Sequence, residues 1–303
     1  MSLIQARNLS KTYPTGALAL KSLSFDIQEG ELFGVVGPDG AGKTTLIQIL
    51  SGLLNFEGEV RFKGELLRKG SNLVRDAIGY IPQRFSLYSD LSVEENVVFY
   101  RDLYPIKAGS RDLDSLLDFI GLSAFRKRLA GALSGGMKQK LSLLCALIHE
   151  PKILMMDEPT VGVDPVSRRE FWSLVFELQD QGLTVVSSTP YLDEAEQFDR
   201  VALINQGEFI RLGTVEELKT SVKGEVLRLY SDEAWELREK ALRLDFVEDA
   251  QLFGDRVHVF TKLTAEEARQ RLLLDLDLAA VDAEQAEHSI EDIFLLSTGE
   301  HHG

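Results

Sequence analysis

One stretch, "GPDGAGKTT" over residues 37–45, limits what this chain can fold into more than any other. It fits the pattern Gly-x-x-x-x-Gly-Lys-Ser/Thr, and its setting matters as much as its letters. Residues 31–36 before it form a short apolar run with strand character, and residues 44–53 after it have helical periodicity. A strand, a glycine-rich turn and a helix in that order aim backbone N–H groups and the positive end of a helix dipole at one point, which suits a phosphate. Lys43 is expected to reach the β- and γ-phosphates of a nucleotide, and the Thr44 hydroxyl to bind Mg2+. Gly37, Pro38, Asp39, Gly40, Ala41, Gly42 and Thr45 complete the cradle.

Two further segments carry chemistry. "ILMMDEP" at 153–159 is an apolar strand that delivers two acids at its tip. Asp157 is placed to hold Mg2+, directly or through water. Glu158 is the natural group to polarise an attacking water. Alone, such a strand end is weak evidence, because a solvated strand tip looks the same; downstream of a phosphate loop it is informative. "LSGGMKQK" at 133–140 opens a helix with exposed backbone donors, a second anion site. One chain gains little from two separate phosphate-binding helix ends. Two chains packed head to tail can each sandwich a nucleotide between one partner's phosphate loop and the other's "LSGG".

The pattern around these motifs predicts an α/β fold. Residues 93–104, 111–121 and 135–149 read as helices, so the middle of the chain is a helical stretch. Strands return at 153–156, 184–187 and 201–204, with helices at 166–180 and 191–198 between them. That alternation implies a mostly parallel, buried sheet. "NQGEF" at 205–209 reads as a hairpin turn. After about Glu217 the order becomes strand, helix, a hairpin around Gly254-Asp255, helix and the strand "LAAVDA", which is βαββαβ and ferredoxin-like, with "SIEDIFLLSTG" as a terminal helix. Two domains are expected, 1–216 with a helical subdomain at about 84–150, and 217–303.

Composition narrows the function. The formal net charge is −15, and 20 acidic against 10 basic residues from Glu217 onward place −10 of it in the last 87 residues. So acidic a surface argues against nucleic acid and anionic lipid as partners. Apolar residues make up 44% of the chain, enough for a real core. The single cysteine, Cys145, lies in an apolar run and is expected to pack in the core of a protein from a reducing compartment. No run reaches the roughly 18 apolar residues of a membrane helix, and "MSLIQARNLSKTYP" lacks the apolar core of a signal peptide. Any membrane role is expected to come through a partner.

With these motifs in place, the chain resembles the ATP-binding subunit of an ABC transporter over nearly its whole length. "VGPDGAGKTTL", "LSGGMKQK" and "VDPVSRRE" are most similar to the first cassette of bacterial tandem ATPases that drive multidrug exporters. The resemblance implies a P-loop cassette with a helical subdomain, ATP and Mg2+ as ligands, and ATP hydrolysis driving a separate integral membrane permease. It implies a second cassette, identical or not, and a cytoplasmic location on the inner face of the membrane. It gives Tyr13 the role of stacking on adenine. Gln83 is to reach Mg2+ and the attacking water, and the residues after it are to receive the permease. Ser134, Gly135, Gly136 and Gln139 are to contact the partner's ATP, and Asp164 in "VGVDP" to cross the dimer interface. The βαββαβ tail resembles the C-terminal domain of drug-export-type ATPases. The alternatives are a regulatory cassette that binds ATP but barely hydrolyses it, and a soluble ABC ATPase without a permease.

One position departs from the family. "SSTPYLDEAE" aligns without gaps on the family's Ser-Thr-His-Tyr-Met-Asp-Glu-Ala-Glu, and Pro190 stands at the histidine that touches the γ-phosphate. Proline offers neither a side-chain donor nor an N–H. Locally it is expected to occupy the first position of a helix capped by Thr189.

Overall fold

The computed structural model describes residues 2–70, 76–104, 112–222, 224–276 and 283–298. The chain divides into two compact units, Met1–Leu212 and Gly213–Gly303. The expected boundary at 216/217 falls inside the helix Val215–Ser221, which a Thr214/Glu217 capping box begins.

The first unit holds two sheets. The strands β1 (Ser2–Thr12), β2 (Leu18–Gln28), β4 (Glu57–Phe62) and β5 (Glu65–Leu66) form one, in the order β2-β1-β4-β5, with antiparallel pairings. The larger sheet contains β3 (Leu32–Val36), β6 (Ile78–Ile81), β7 (Ile153–Asp157), β8 (Thr184–Thr189), β9 (Arg200–Asn205) and β10 (Glu208–Thr214), ordered β10-β9-β3-β8-β7-β6. Its pairings from β6 across to β9 are parallel. Every residue of β3, β7 and β8 is buried, the mark of strands covered on both faces. The helix Lys43–Leu50 contributes Leu46, Ile47, Ile49 and Leu50 to a core shared with both sheets, each at most 1% exposed.

The helical stretch contains Val93–Asp102, Leu113–Phe119 and Gly135–Leu147. It has its own core, in which Val93, Val97, Leu117, Leu141 and Leu144 meet Cys145. Burial pushes the Cys145 thiol far above its ordinary range, so it behaves as a small apolar side chain.

The second unit runs β11 (Glu225–Tyr230), helix Ala234–Ala241, β12 (Val247–Phe253), β13 (Arg256–Thr261), helix Ala265–Asp275, β14 (Ala283–Ala286) and helix Ile290–Thr298. Its antiparallel sheet has the order β12-β13-β11-β14. Of the expected strand "LAAVDA", only Ala283 lies within the described residues. The last helix is held by a buried pair: Asp292 accepts from His258 Nδ1 at 2.8 Å and from the Ser289 backbone N–H and hydroxyl at 2.8 Å each. Arg228 Nε donates to the other ring nitrogen of His258 at 3.2 Å.

Candidate active site

The order β3-β8-β7 puts the carboxyl ends of three strands side by side, with Val36 opposite Thr189 and Asp157 opposite Ser188. Parallel strands all point their loops to that edge, so sequence-distant polar residues converge there. Gly42 takes φ +109° as the helix N-cap, and a Cβ there would stand 2.7 Å from the Ala19 carbonyl oxygen, so only glycine fits.

Lys43 is 3% exposed. Its ammonium donates to the carbonyls of Gly37 at 2.7 Å and Pro38 at 2.9 Å, and lies 3.0 Å from Glu158 Oε1. Asp39 is mostly exposed and 3.9 Å from the same ammonium. Glu158 is buried and has φ +49°, a costly conformation for a residue with a Cβ. Its N–H is held by the Ser188 carbonyl at 3.1 Å and the Ser188 hydroxyl at 3.0 Å. Its second carboxylate oxygen accepts from Gln83 Nε2 at 2.7 Å. Lysine and glutamine thus clamp the carboxylate from two sides.

Asp157 Oδ1 accepts from Thr44 Oγ1 at 3.1 Å and from Ser188 Oγ at 2.7 Å. Burial pushes its carboxyl above the usual range, against the pull of these hydroxyls. The Thr44 hydroxyl, the Asp157 carboxylate and the Gln83 amide are hard oxygen donors. No cluster of three or more His, Cys, Asp or Glu able to hold a metal occurs among the described residues. A few such oxygens beside a phosphate cradle fit magnesium, which keeps waters and takes phosphate oxygens as its main ligands. Tyr13 lies beside this group, its hydroxyl 3.1 Å from Thr45 Oγ1, and Lys11 stacks over its ring.

The other expected residues stand elsewhere. Ser134 caps the helix Gly135–Leu147, accepting from Met137 N–H at 3.3 Å, and is exposed with Gly135. Gly136 is buried, and a Cβ on it would fall 2.3 Å from Ser167 Cβ, so its lack of a side chain is required within this chain. Gln139 is only 9% exposed, which leaves little of it for a partner. Asp164 is exposed and caps the helix Pro165–Asp180, accepting from Ser167 and Val166 N–H at 3.0 and 3.1 Å. The Ser167 N–H bond leads the contacts that hold its carboxyl below the ordinary range.

The expected helix start at Pro190 is corrected. The helix covers only Leu192–Ala195, its N-cap residue is Tyr191, and Pro190 lies before the cap. Thr189 does not cap the helix; its hydroxyl accepts from Tyr191 N–H at 3.0 Å and donates to Glu194 at 2.6 Å. Glu194 is also drawn inward by Thr160 and Trp172, and this long-range pull sets the short turn. Sequence reasoning missed Ser188, Thr160 and Glu194. The only local sign was a pair of serines ending a buried strand, followed by acids on a short helix.

Comparison with known proteins places this arrangement. The ABC transporter family model matches residues 20–161. A probable multidrug ABC transporter ATP-binding protein of Escherichia coli K12, YbhF, is 42% identical, covering 87% of this chain and 47% of the relative. The chain therefore spans about half the length of that relative. The daunorubicin/doxorubicin resistance ATP-binding protein DrrA of Streptomyces peucetius is 34% identical, covering 98% of this chain and 92% of the relative. A dimeric ATP-binding cassette bound to ADP and Pi matches with a TM-score of 0.63 and 28% identity, covering 70% of this chain and 98% of that one. The site at the ends of β3, β7 and β8 and these relatives lead to one conclusion: the chain belongs to the ABC transporter family, among its ATP-binding proteins.

Proposed function

We propose that this chain is the ATP-binding and ATP-hydrolysing subunit of a drug-export ABC transporter. The observation that carries the reading is the convergence of Lys43, Thr44, Gln83, Asp157 and Glu158 at one sheet edge. Lys43 leaves Glu158 and turns to the β- and γ-phosphates, and the loop N–H groups hold the remaining oxygens. Thr44, Asp157 and Gln83 hold magnesium, which when bound supplies charge neutralisation on the phosphates. Glu158, released from lysine, orients the water and takes its proton. Tyr13 stacks on adenine.

The finer reading has two cassettes head to tail, Ser134 to Gly136 of one chain facing the nucleotide of the other, and Asp164 at the interface. A separate permease docks after Gln83 and holds the complex on the inner face of the membrane. The exposed rings of Tyr88 and Phe99, packed edge to face at 4.8 Å, suit that contact. No helix among the described residues is long and apolar enough to cross a membrane. The domain after residue 216 is read as an accessory, regulatory unit. Pro190 favours an asymmetric pair in which this chain's own site is slow. A hydrogen bond to a developing phosphate charge is worth about 1.5–3 kcal/mol, so its absence slows the site about tenfold to a hundredfold. Within the first unit the described histidine His149 bonds to Ile78 at the far end of β6, so it does not replace the missing contact.

The test is Mg·ATP binding and single-turnover hydrolysis by the full chain, Lys43→Ala and Pro190→His. Lys43→Ala is expected to lose binding and Pro190→His to hydrolyse faster. Equal binding by Lys43→Ala removes the assignment; an unchanged rate in Pro190→His makes the proline only a turn residue.

A further inference from the structure

Glu194 is 1% exposed and has donors from three stretches of chain. One carboxylate oxygen accepts from Thr160 Oγ1 at 2.6 Å and Trp172 Nε1 at 2.9 Å, with Arg168 Nε at 3.4 Å. The other accepts from Thr189 Oγ1 at 2.6 Å. Bonds from hydroxyls to a buried carboxylate are short, charge-assisted and strong in a low dielectric.

Each donor belongs to a stretch that the hydrolysis cycle uses. Thr160 lies two residues after Glu158, in the loop that leads to Asp164. Trp172 and Arg168 lie on the helix that Asp164 caps. Thr189 precedes Pro190, and its carbonyl accepts from Gly37 N–H at 3.4 Å, at the start of the phosphate loop. Arg168 also covers the ring of Tyr191 at 4.8 Å. Pro190 has no group to report on the γ-phosphate. The turn Thr189-Pro190-Tyr191 can still follow the phosphate loop through the backbone bond at Gly37, and Glu194 then carries that motion to Thr160.

We propose that Glu194 is a positioning residue, linking in series the turn at Pro190 to the loop that runs from Glu158 to Asp164. The inference rests on the nucleotide reading given above. Glu158 keeps its aim at the water only while Thr160 and Thr189 are both tied to the one carboxylate. A misplacement of about 1 Å at such distance costs up to about a hundredfold in rate.

Thr160→Val and Thr189→Val each remove one donor without changing side-chain size, and leave the carboxylate its other donors. With the full chain, each is expected to bind Mg·ATP within about threefold of wild type and to lose about tenfold to a hundredfold in single-turnover rate. The double variant is expected to be no slower than the slower single one, because a series link is cut once. Losses that multiply, or rates that stay at the wild-type value, overturn the proposal. In a Trp235→Phe background Trp172 is the sole tryptophan; its emission is expected to change on adding Mg·ATP, and Thr189→Val to abolish that change. Emission that ignores bound ATP also overturns the link. Should the valine variants not fold, Glu194→Gln, which keeps shape and withdraws charge, is expected to show the same rate loss at unchanged binding. A wild-type chain that binds no Mg·ATP overturns the nucleotide reading itself, whereas normal binding with normal turnover in the variants overturns the Glu194 role alone.

Discussion

Replacing Glu158 by glutamine is expected to tighten nucleotide binding while it destroys turnover. Lys43 and Glu158 are 3.0 Å apart and almost wholly buried. Two unit charges at that distance attract by about 5.5 kcal/mol at an effective dielectric of about 20. Phosphate returns most of that attraction to the lysine, so the net handicap is nearer one charged hydrogen bond, about 1.5–3 kcal/mol. Each 1.4 kcal/mol or so is tenfold in affinity, so Glu158→Gln should bind about tenfold to a hundredfold tighter. Without nucleotide the effect reverses: the buried ammonium keeps the carbonyls of Gly37 and Pro38 and the exposed Asp39 at 3.9 Å but loses its buried counter-charge, and the variant unfolds at lower temperature. Calorimetric titration with a non-hydrolysable ATP analogue and magnesium, beside thermal melts with and without it, reads both signs. Analogue affinity equal to or below wild type shows that the ion pair does not hold Lys43 back from the phosphates.

Two further outcomes follow from packing and charge. Gly136→Ala should lower stability by about 1–3 kcal/mol, because its methyl meets Ser167 Cβ, and Ser167→Gly should restore part of the loss in urea denaturation. Burial pushes the Asp292 carboxyl up, but the bonds from His258 and Ser289 outweigh it and hold it below the ordinary value. A lowered carboxyl stabilises above its unfolded pKa and loses that contribution as pH falls through the folded one. Asp292→Asn should therefore weaken hydrogen-exchange protection of β13 at neutral pH, with the difference from wild type beginning to shrink near the ordinary aspartate value of about 4 and closing only at still lower pH; an equal difference at both extremes would refute it.

The central sheet was legible because buried parallel strands write themselves as unbroken apolar runs, as in Leu32–Val36 and Ile153–Asp157. The sheet of β1, β2, β4 and β5 was not. Its alternation is broken by register shifts at Ser2/Ile4, Ala6/Leu9 and Leu9/Lys11, so no clean period of two survives in the letters. At the site, motif residues could be placed one by one, since glycine, lysine and acids each carry a local reason. The clamp on Glu158 could not, because Lys43, Gln83 and Ser188 meet around it only when four strands, β3, β8, β7 and β6, close. The turn at Pro190 was misread for the same cause: local cap chemistry favoured Thr189, and Glu194 answers instead to Thr160 and Trp172.

The bond between Thr44 and Asp157 spans 113 residues of chain. Neither the helix that carries the threonine nor the strand that carries the aspartate holds the other until β8 has slid between β3 and β7. Closing loops of that length costs entropy that only the finished parallel sheet returns, which makes such pairings late and slow in folding. Nucleotide-binding competence should therefore be among the last properties a refolding chain regains. A freshly made chain would hold helices and local hairpins well before it could take up ATP.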